Sequence, residues 1–174
     1  MRRRMVLCGV LAGCMGSGTG LAQGPAGGPA SEVQRSYASL KGNVLKAADA
    51  MPATDYGYKP TPEIRTFARV VNHVTEAQLR SCGAANRTKE LPKVPAETAD
   101  KAAVIAALKA SFAECDRAYA ALTDTNLTES FDAFGSKRSR IGLMWGNVSH
   151  DNEQYATLAL YLRLKGLAPP SSEK

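Results

Sequence analysis

The chain has 174 residues, the size of a single domain with a substantial core. Its 22 basic and 16 acidic residues give a formal charge of +6, but three arginines lie in the first 22 residues, where no acid occurs. Without that segment the balance is 19 against 16, or +3, and the charges are interspersed with few aromatic residues. This pattern gives little support to nucleic-acid binding.

The first 22 residues have the composition of a signal peptide. Three arginines precede a short apolar run (VLCGVLAGCM), and small residues lead up to Ala22. We therefore predict cleavage after Ala22 and export to the periplasm or the medium. An alternative is a lipoprotein anchored through Cys14, since Leu11 to Cys14 resembles a lipobox. The short apolar run favours soluble export over the anchor and cannot span a membrane.

Residues 23–30 (QGPAGGPA) are predicted to be a flexible linker, and residues 31–168 the folded domain, followed by a tail at 169–174. The first helix is capped by Ser31 and ends before Pro52. Its apolar residues recur at spacings of three and four, which places them on one face: Val33, Tyr37, Leu40, Val44, Ala47 and Met51.

The second helix is predicted over residues 62–82. Thr61 is a suitable N-cap, Pro62 suits the first helical position, and Gly83 is a terminator. Its apolar seam includes Ile64, Phe67, Val71 and Val74, with Gln78 on the same line, and His73 lies beside it.

Residues 84–97 form a polar, proline-containing linker, and the third helix is predicted over residues 98–122. The following stretch (LTESFDAFGS) is interpreted as a loop with a short turn, and no strand pattern is found. Four helices without strands predict an all-α four-helix bundle.

The fourth helix is predicted over residues 141–166, with Gly166 as its C-cap. Its apolar seam runs through Trp145, interpreted as core packing, and Tyr155. A second, polar stripe consists of Asn147, His150 and Gln154, residues three and four apart that point the same way. A histidine and an amide beside a core seam are typical of a buried site.

Cys82 and Cys115 form an even pair in a protein predicted to be exported, where disulfides persist. We expect a disulfide, with two buried free thiols as the alternative. A bridge from the end of the second helix to a point past the middle of the third requires these helices to run parallel. The predicted topology is therefore up-down-down-up, with a long crossover between helices two and three.

The loop YGYKPTPEIRTFARVVNHV, the cysteine pair and the closing HDNEQYATLALYLRLKGLAPPSS resemble the DinB-like superfamily, in particular its small exported bacterial members. The resemblance implies the same up-down-down-up bundle. It also implies a divalent metal, zinc or nickel, held by one histidine of helix two and an H-x-x-x-H pair of helix four. His73 and His150 match these positions, whereas Gln154 stands at the third. An amide oxygen is a weaker ligand than imidazole, so the metal is expected to bind weakly or not at all.

Three functions follow as hypotheses. The chain is an exported DinB-like protein of unassigned activity with a degenerate metal site at His73, His150 and Gln154. Alternatively it is a metal-dependent hydrolase or thiol transferase of DinB-like type. A third hypothesis is a non-catalytic binding or stress-related module, favoured by the missing third histidine. The expected partner is a small molecule rather than nucleic acid; no membrane span is expected, and a homodimer is possible.

Overall fold

The computed structural model describes residues 27–173, so the predicted signal peptide, its cleavage site and Cys14 lie outside the described residues. Within that range four long helices are accompanied by one β-hairpin, with these bounds: Pro29–Ala50 (α1), Phe67–Asn86 (α2), Lys101–Ala120 (α3), Ser130–Ala133 (β1), Ser136–Ser139 (β2) and Arg140–Leu164 (α4). Short 3-10 turns at Ala53–Asp55 and Pro170–Ser172 follow α1 and α4. Between residues 27 and 173 no helix is long and apolar enough to cross a membrane.

Helix α1 buries the face that the sequence predicts. It begins at Pro29 with Gly28, rather than Ser31, at the N-cap. The spacing of three and four residues brings its apolar side chains under α3 and α4, and Tyr37 stacks on Tyr119 of α3 with ring centroids 3.8 Å apart. Pro52 follows the helix because it cannot continue the hydrogen-bond ladder.

Helix α2 begins at Phe67, later than the predicted start at Pro62, which is wrong. The Thr66 hydroxyl caps the helix by accepting a hydrogen bond from the Arg69 amide at 3.1 Å. The Phe67 amide donates to the Tyr58 carbonyl at 2.9 Å, so the preceding loop folds back onto the helix. This contact within the fold selects the later cap, which local sequence preference does not distinguish from the earlier one.

The predicted end of α2 at Gly83 is also wrong. The helix continues to Asn86, and Arg87 closes it in a left-handed conformation with φ of 55°. Gly83 instead allows a close approach, because a Cβ at this position would lie 2.6 Å from Leu91 Cδ2. The absence of a side chain therefore lets the linker after α2 pass tightly across the helix.

Helices α2 and α3 run parallel, as predicted, because their contacts advance together along both helices. The contacting pairs are Gln78 with Ser111 and, four residues further along both helices, Cys82 with Cys115. Helix α1 runs opposite to α3: Gln34 donates to the Tyr119 carbonyl, and Lys101 donates to the Met51 carbonyl. The predicted all-α bundle with up-down-down-up topology and a long α2–α3 crossover is confirmed.

The β-hairpin corrects the expectation that the chain has no strand. Strands β1 and β2 pair antiparallel from Ser130 opposite Ser139 to Ala133 opposite Ser136. Phe134 and Gly135 form the turn with φ of 52° and 73°, the left-handed geometry of two-residue hairpin turns. The strands are too short and polar to give a recognisable alternating pattern. The hairpin leads directly into α4, whose first turn is capped by the Ser139 hydroxyl.

Trp145 is 55% exposed, so its assignment to the core is wrong. The buried arc of α4 is centred on Asp151, which is 1% exposed, rather than on the apolar seam alone. At 3.6 residues per turn, Trp145 lies about 120° around the helix from Asp151. The indole therefore faces solvent, while Val148, Tyr155 and other residues nearer the arc are buried.

Candidate functional site

A cavity of about 450 Å³ opens between α2, α4 and the turn of the β-hairpin. Its lining is basic and partly apolar, with glycines along the α4 side: Arg65, Arg69, His73, Glu76, Ala77, Arg80, Ser81, Phe134, Arg138, Gly142, Leu143, Gly146, Asn147 and His150. A concave pocket with a few convergent polar groups is the usual form of a small-molecule site.

The two histidines of the chain meet in this cavity. The Nε2 atoms of His73 on α2 and His150 on α4 are 3.2 Å apart, and the ring centroids are 4.9 Å apart. Both side chains are 28% exposed, so they lie at the boundary between the core and the cavity. The antiparallel packing of α2 and α4 brings together residues 77 positions apart in sequence.

Asp151 holds His150 from behind. Its Oδ1 lies 3.1 Å from His150 Nδ1, and its Oδ2 accepts from Gln78 at 2.9 Å and from Asn147 at 3.1 Å. Burial raises the pKa of Asp151, and the hydrogen bonds from these three residues oppose the shift. Gln78 and Asn147 donate to Oδ2, and an ionised carboxylate can only accept at Oδ1. With Asp151 ionised, His150 carries its proton on Nδ1 and directs the Nε2 lone pair towards His73.

His73 is held less firmly. Its Nδ1 lies 3.8 Å from Glu76 Oε2, beyond hydrogen-bond distance. Burial lowers the pKa of His73, and the positive charges of Arg65 and Arg69 lower it further, whereas Glu76 opposes them. A neutral His73 has two tautomers. With the proton on Nε2 it donates to His150, and with the proton on Nδ1 it presents an Nε2 lone pair beside that of His150.

The arginines make the cavity positive. Arg69 forms a two-pronged ion pair with Glu76, with N–O distances of 2.9 and 3.0 Å, and this hydrogen bonding lowers the pKa of Glu76. In the described part of the chain, Arg65, Arg80 and Arg138 have no carboxylate partner. The field of the cavity therefore favours an anionic ligand.

Gln154, the third residue of the predicted metal set, lies one turn beyond His150 on a buried face of α4. It neither lines the cavity nor hydrogen-bonds to either histidine. Among residues 27–173, no group of three His, Cys, Asp or Glu side chains could hold a metal ion. The structure thus brings together His73 and His150 and leaves Gln154 outside the cavity.

The expected disulfide between Cys82 and Cys115 is present beneath this site, with both residues fully buried. Asn147 joins it to the histidine layer, because Asn147 Oδ1 lies 3.7 Å from both sulfur atoms while its amide donates to Asp151. Tyr119 also donates to Asn147, at 3.0 Å. The histidine pair therefore packs on a buried layer that is fixed by the disulfide and by hydrogen bonds.

Sequence reasoning missed several residues of the site. Asp151 is next to His150 in sequence, and its position in the buried arc was the available signal. Arg69, Glu76 and Arg80 lie at helical spacings on α2, but a charge pattern alone is also typical of a solvated face. Arg138 and Phe134 could not be assigned because the hairpin that carries them was not predicted.

The family model of the DinB superfamily matches residues 38–158, which includes both histidines and both cysteines of the bundle. The chain belongs to the DinB superfamily. A search of curated proteins found no match.

Two solved structures of DinB-like proteins share the fold. One, from Bacillus cereus ATCC 10987, has 17% sequence identity and a TM-score of 0.67, and the alignment covers 80% of this chain and 95% of that protein. The other, from Bacillus subtilis, has 17% identity and a TM-score of 0.58, with coverage of 78% and 92%. At this identity the comparison shows a DinB-like fold and leaves ligand and activity to be argued from the cavity.

Proposed function

We propose that this DinB-like protein is an exported small-molecule-binding protein whose cavity contains a weak divalent-cation site formed by His73 and His150. The observation that carries the proposal is the 3.2 Å separation of the two Nε2 atoms. Two nitrogen ligands at about 2.0–2.1 Å from a tetrahedral zinc ion lie about 3.3 Å apart, so the observed separation suits a shared ion.

The orientation of the rings supports the same proposal. Asp151 accepts from Nδ1 of His150 at 3.1 Å, the arrangement in which a carboxylate orients a metal-binding imidazole. Glu76 Oε2 lies 3.8 Å from Nδ1 of His73. It could accept a hydrogen bond from an Nδ1 proton when the Nε2 lone pair of His73 binds a cation. The lowered pKa of His73 keeps this imidazole neutral and its lone pair available near neutral pH.

The residues fit a two-nitrogen site and do not fit the three-ligand protein centre that the family resemblance implies. Asp151 and Glu76 are engaged by His150 and Arg69 respectively, and Gln154 lies outside the cavity. With only two imidazole ligands, affinity is expected to be low, and the other coordination positions face the cavity. A divalent ion there would supply Lewis acidity towards an oxygen of a bound ligand or water.

Export is proposed from two features of the chain. Residues 1–22 have the three-part composition of a signal peptide, and the Cys82–Cys115 disulfide is of the kind that persists in oxidising compartments. Anchoring through Cys14 is the alternative form of the exported protein. The mature mass distinguishes a chain beginning at Gln23 from one carrying lipid on Cys14.

A metal-dependent hydrolase or thiol transferase is the second candidate. The contact between Asp151 and Nδ1 of His150 favours it. In catalytic metal sites a carboxylate commonly orients a histidine ligand through the ring nitrogen that does not bind the metal. The missing third ligand argues for binding rather than turnover. Hydrolysis of activated esters or thiol transfer that requires both histidines would favour the enzyme.

Calorimetric titration of zinc and nickel into the disulfide-bonded protein tests the proposal. The wild type should bind one ion weakly, and His73→Ala or His150→Ala should abolish binding. Gln154→His should leave zinc affinity within about twofold of wild type, because residue 154 lies outside the cavity and contacts neither histidine. A gain of about tenfold or more, lost again when His73→Ala is added, would show that a side chain at position 154 reaches the two histidines.

Asn152→His is the matched control. Residue 152 is exposed, and residues two positions apart on a helix do not share a face, so a histidine there points away from His150. It should leave zinc affinity unchanged. A wild type with no detectable zinc or nickel binding would sink the proposed cation site. A gain from Gln154→His in that background would identify a DinB scaffold that lacks a metal centre because of this one substitution.

A further inference from the structure

The two ends of the cavity differ in charge. At the histidine end, Arg69 is neutralised by Glu76, and only Arg65 contributes an unpaired charge. At the hairpin end, Arg80 of α2 and Arg138 of β2 line the cavity without an ion pair within residues 27–173, and the carboxylate nearest to them in the lining, Glu76 one turn before Arg80, is bound by both nitrogens of Arg69. Guanidinium groups have a planar set of donors that matches carboxylate and phosphate oxygens.

The wall beside this basic end is apolar and open. Phe134, at the tip of the hairpin, is 55% exposed although it is aromatic, and Leu143 of α4, which is 2% exposed, also lines the cavity. Phe134 has φ of 52°, a conformation that costs energy for a residue with a side chain. An aromatic ring held at a cavity mouth in this way is suited to contact with the apolar part of a ligand.

Helix α4 contributes two glycines, Gly142 and Gly146, on the same face as His150 and at four-residue spacing. Glycine inside a helix is less favourable than alanine, because its backbone loses more conformational freedom on folding. Apart from its chain neighbours and the backbone of α4 itself, no atom lies within 4 Å of the Cβ that a residue at position 146 would have, so close packing does not require glycine there. What the glycine preserves is open space along the cavity.

From these observations we propose that the cavity binds a small organic anion, a carboxylate or phosphate monoester with an apolar body. The acidic head group lies between Arg80 and Arg138, and the apolar body contacts Phe134 and Leu143 and passes over Gly146. Arg80 is seven residues from His73, which is about 10 Å along α2, so such a ligand reaches from the arginines towards the histidine pair. The inference shares the cavity of the proposed function but does not require the cation.

Binding of phenyl phosphate, phenylacetate, inorganic phosphate and uncharged 2-phenylethanol, measured by calorimetry with EDTA present, tests the inference. At least one of the two aromatic acids should bind about tenfold more tightly than 2-phenylethanol, because only the acids engage the arginines. Preference between phenyl phosphate and phenylacetate distinguishes the two head groups. Inorganic phosphate should bind more weakly than the aromatic acid because it lacks the apolar body.

Arg80→Gln and Arg138→Gln should each weaken binding of the preferred acid by about tenfold and leave 2-phenylethanol unaffected. Arg35→Gln is the matched control, since Arg35 is exposed on α1 and does not line the cavity. If Arg35→Gln weakens the acid as much as the cavity variants do, the effect is one of net charge and the inference is overturned.

Gly146→Leu provides a test with opposite expected effects on binding and stability. Leucine improves helix propensity and should raise the melting temperature, while its side chain should fill the cavity and reduce acid binding by about tenfold or more. Unchanged acid binding in this variant would place the ligand elsewhere. Failure of both aromatic acids to bind while zinc binding persists would overturn this inference and leave the proposed cation site intact.

Discussion

The two layers of the α2–α4 interface differ in how firmly they hold their polar groups. The inner layer consists of Asp151, its two amide donors Gln78 and Asn147, and the Cys82–Cys115 disulfide, all buried in the centre of the bundle. The outer layer consists of His73 and the arginines, which face the cavity. His150 belongs to both, since Asp151 orients it and its free nitrogen faces His73.

This difference indicates that the two layers have different roles. The inner layer orients one histidine, while the outer layer leaves the other free to change its proton position and its partner. Buried polar groups are costly when they lose a partner, so substitutions in the inner layer should act on stability. Substitutions in the outer layer should act on binding, because exposed side chains make little difference to folding.

Asp151→Ala should have the largest effect. It leaves the amides of Gln78 and Asn147 and the ring N–H of His150 without their acceptor in the core. We expect the free energy of unfolding to fall by about 3–5 kcal/mol. Urea denaturation measures it, with exposed Asn152→Ala as a control that should stay within about 0.5 kcal/mol of wild type. A loss below 1 kcal/mol would show that the inner layer is not a structural unit.

Replacing both Cys82 and Cys115 by alanine should have the next largest effect. The cysteines are 33 residues apart, and a bridge closing a loop of this length stabilises by about 3–4 kcal/mol through the entropy of the unfolded chain. Urea denaturation of the oxidised wild type and the double variant should show this difference. Adding reductant should destabilise the wild type alone, and an equal response from the double variant would contradict the assignment to the bridge.

The two histidines should separate the layers most clearly. His150→Ala removes the donor from Oδ1 of buried Asp151 and should lower the free energy of unfolding by about 1–3 kcal/mol. His73→Ala leaves no buried polar group unpaired and should cost less than about 1 kcal/mol. Both variants should lose zinc binding. Equal destabilisation by the two would remove the distinction between a fixed and an adjustable histidine.

The smallest effect concerns acid stability at Glu114 of α3, which lies between α2 and α3 outside the two layers. Burial alone would raise the pKa of Glu114, but hydrogen bonds from Thr88, Asn86 and Arg117 outweigh it and hold the pKa below the ordinary value of 4.5. The unfolded chain therefore binds this proton more readily, and the stabilisation present above pH 4.5 is lost as pH falls through the folded pKa. Glu114→Gln should flatten the pH dependence of urea unfolding in this range, and an unchanged profile would refute the assignment.

Much of the fold could be predicted because it depends on local periodicity and on the cysteine pair. The spacing of Val33, Tyr37 and Leu40 identified a helix face, and the bridge from Cys82 required parallel helices. The start of α2 could not be predicted in the same way, since Thr61 and Thr66 are both good N-caps. The bond from the Phe67 amide to the Tyr58 carbonyl, a contact formed in the fold, favours the second.

The site was predictable only where residues share a helix or match the family pattern. His73 and His150 were paired on the family pattern, and the structure brings them together, whereas Gln154 was grouped with them and lies outside the cavity. Arg138 reaches the cavity from a hairpin whose four-residue strands are too short to give a periodic signal. The basic character of the cavity is thus a property of the assembled bundle.

The proposed cation between His73 and His150 is tested most directly by anomalous scattering from a zinc-soaked crystal. We expect a single zinc ion within about 2.0–2.2 Å of both Nε2 atoms, with the remaining ligands coming from solvent or a bound anion. Asp151 should keep its contact with His150 Nδ1. Anomalous density elsewhere, with none between two histidines that remain 3.2 Å apart, would contradict the proposal.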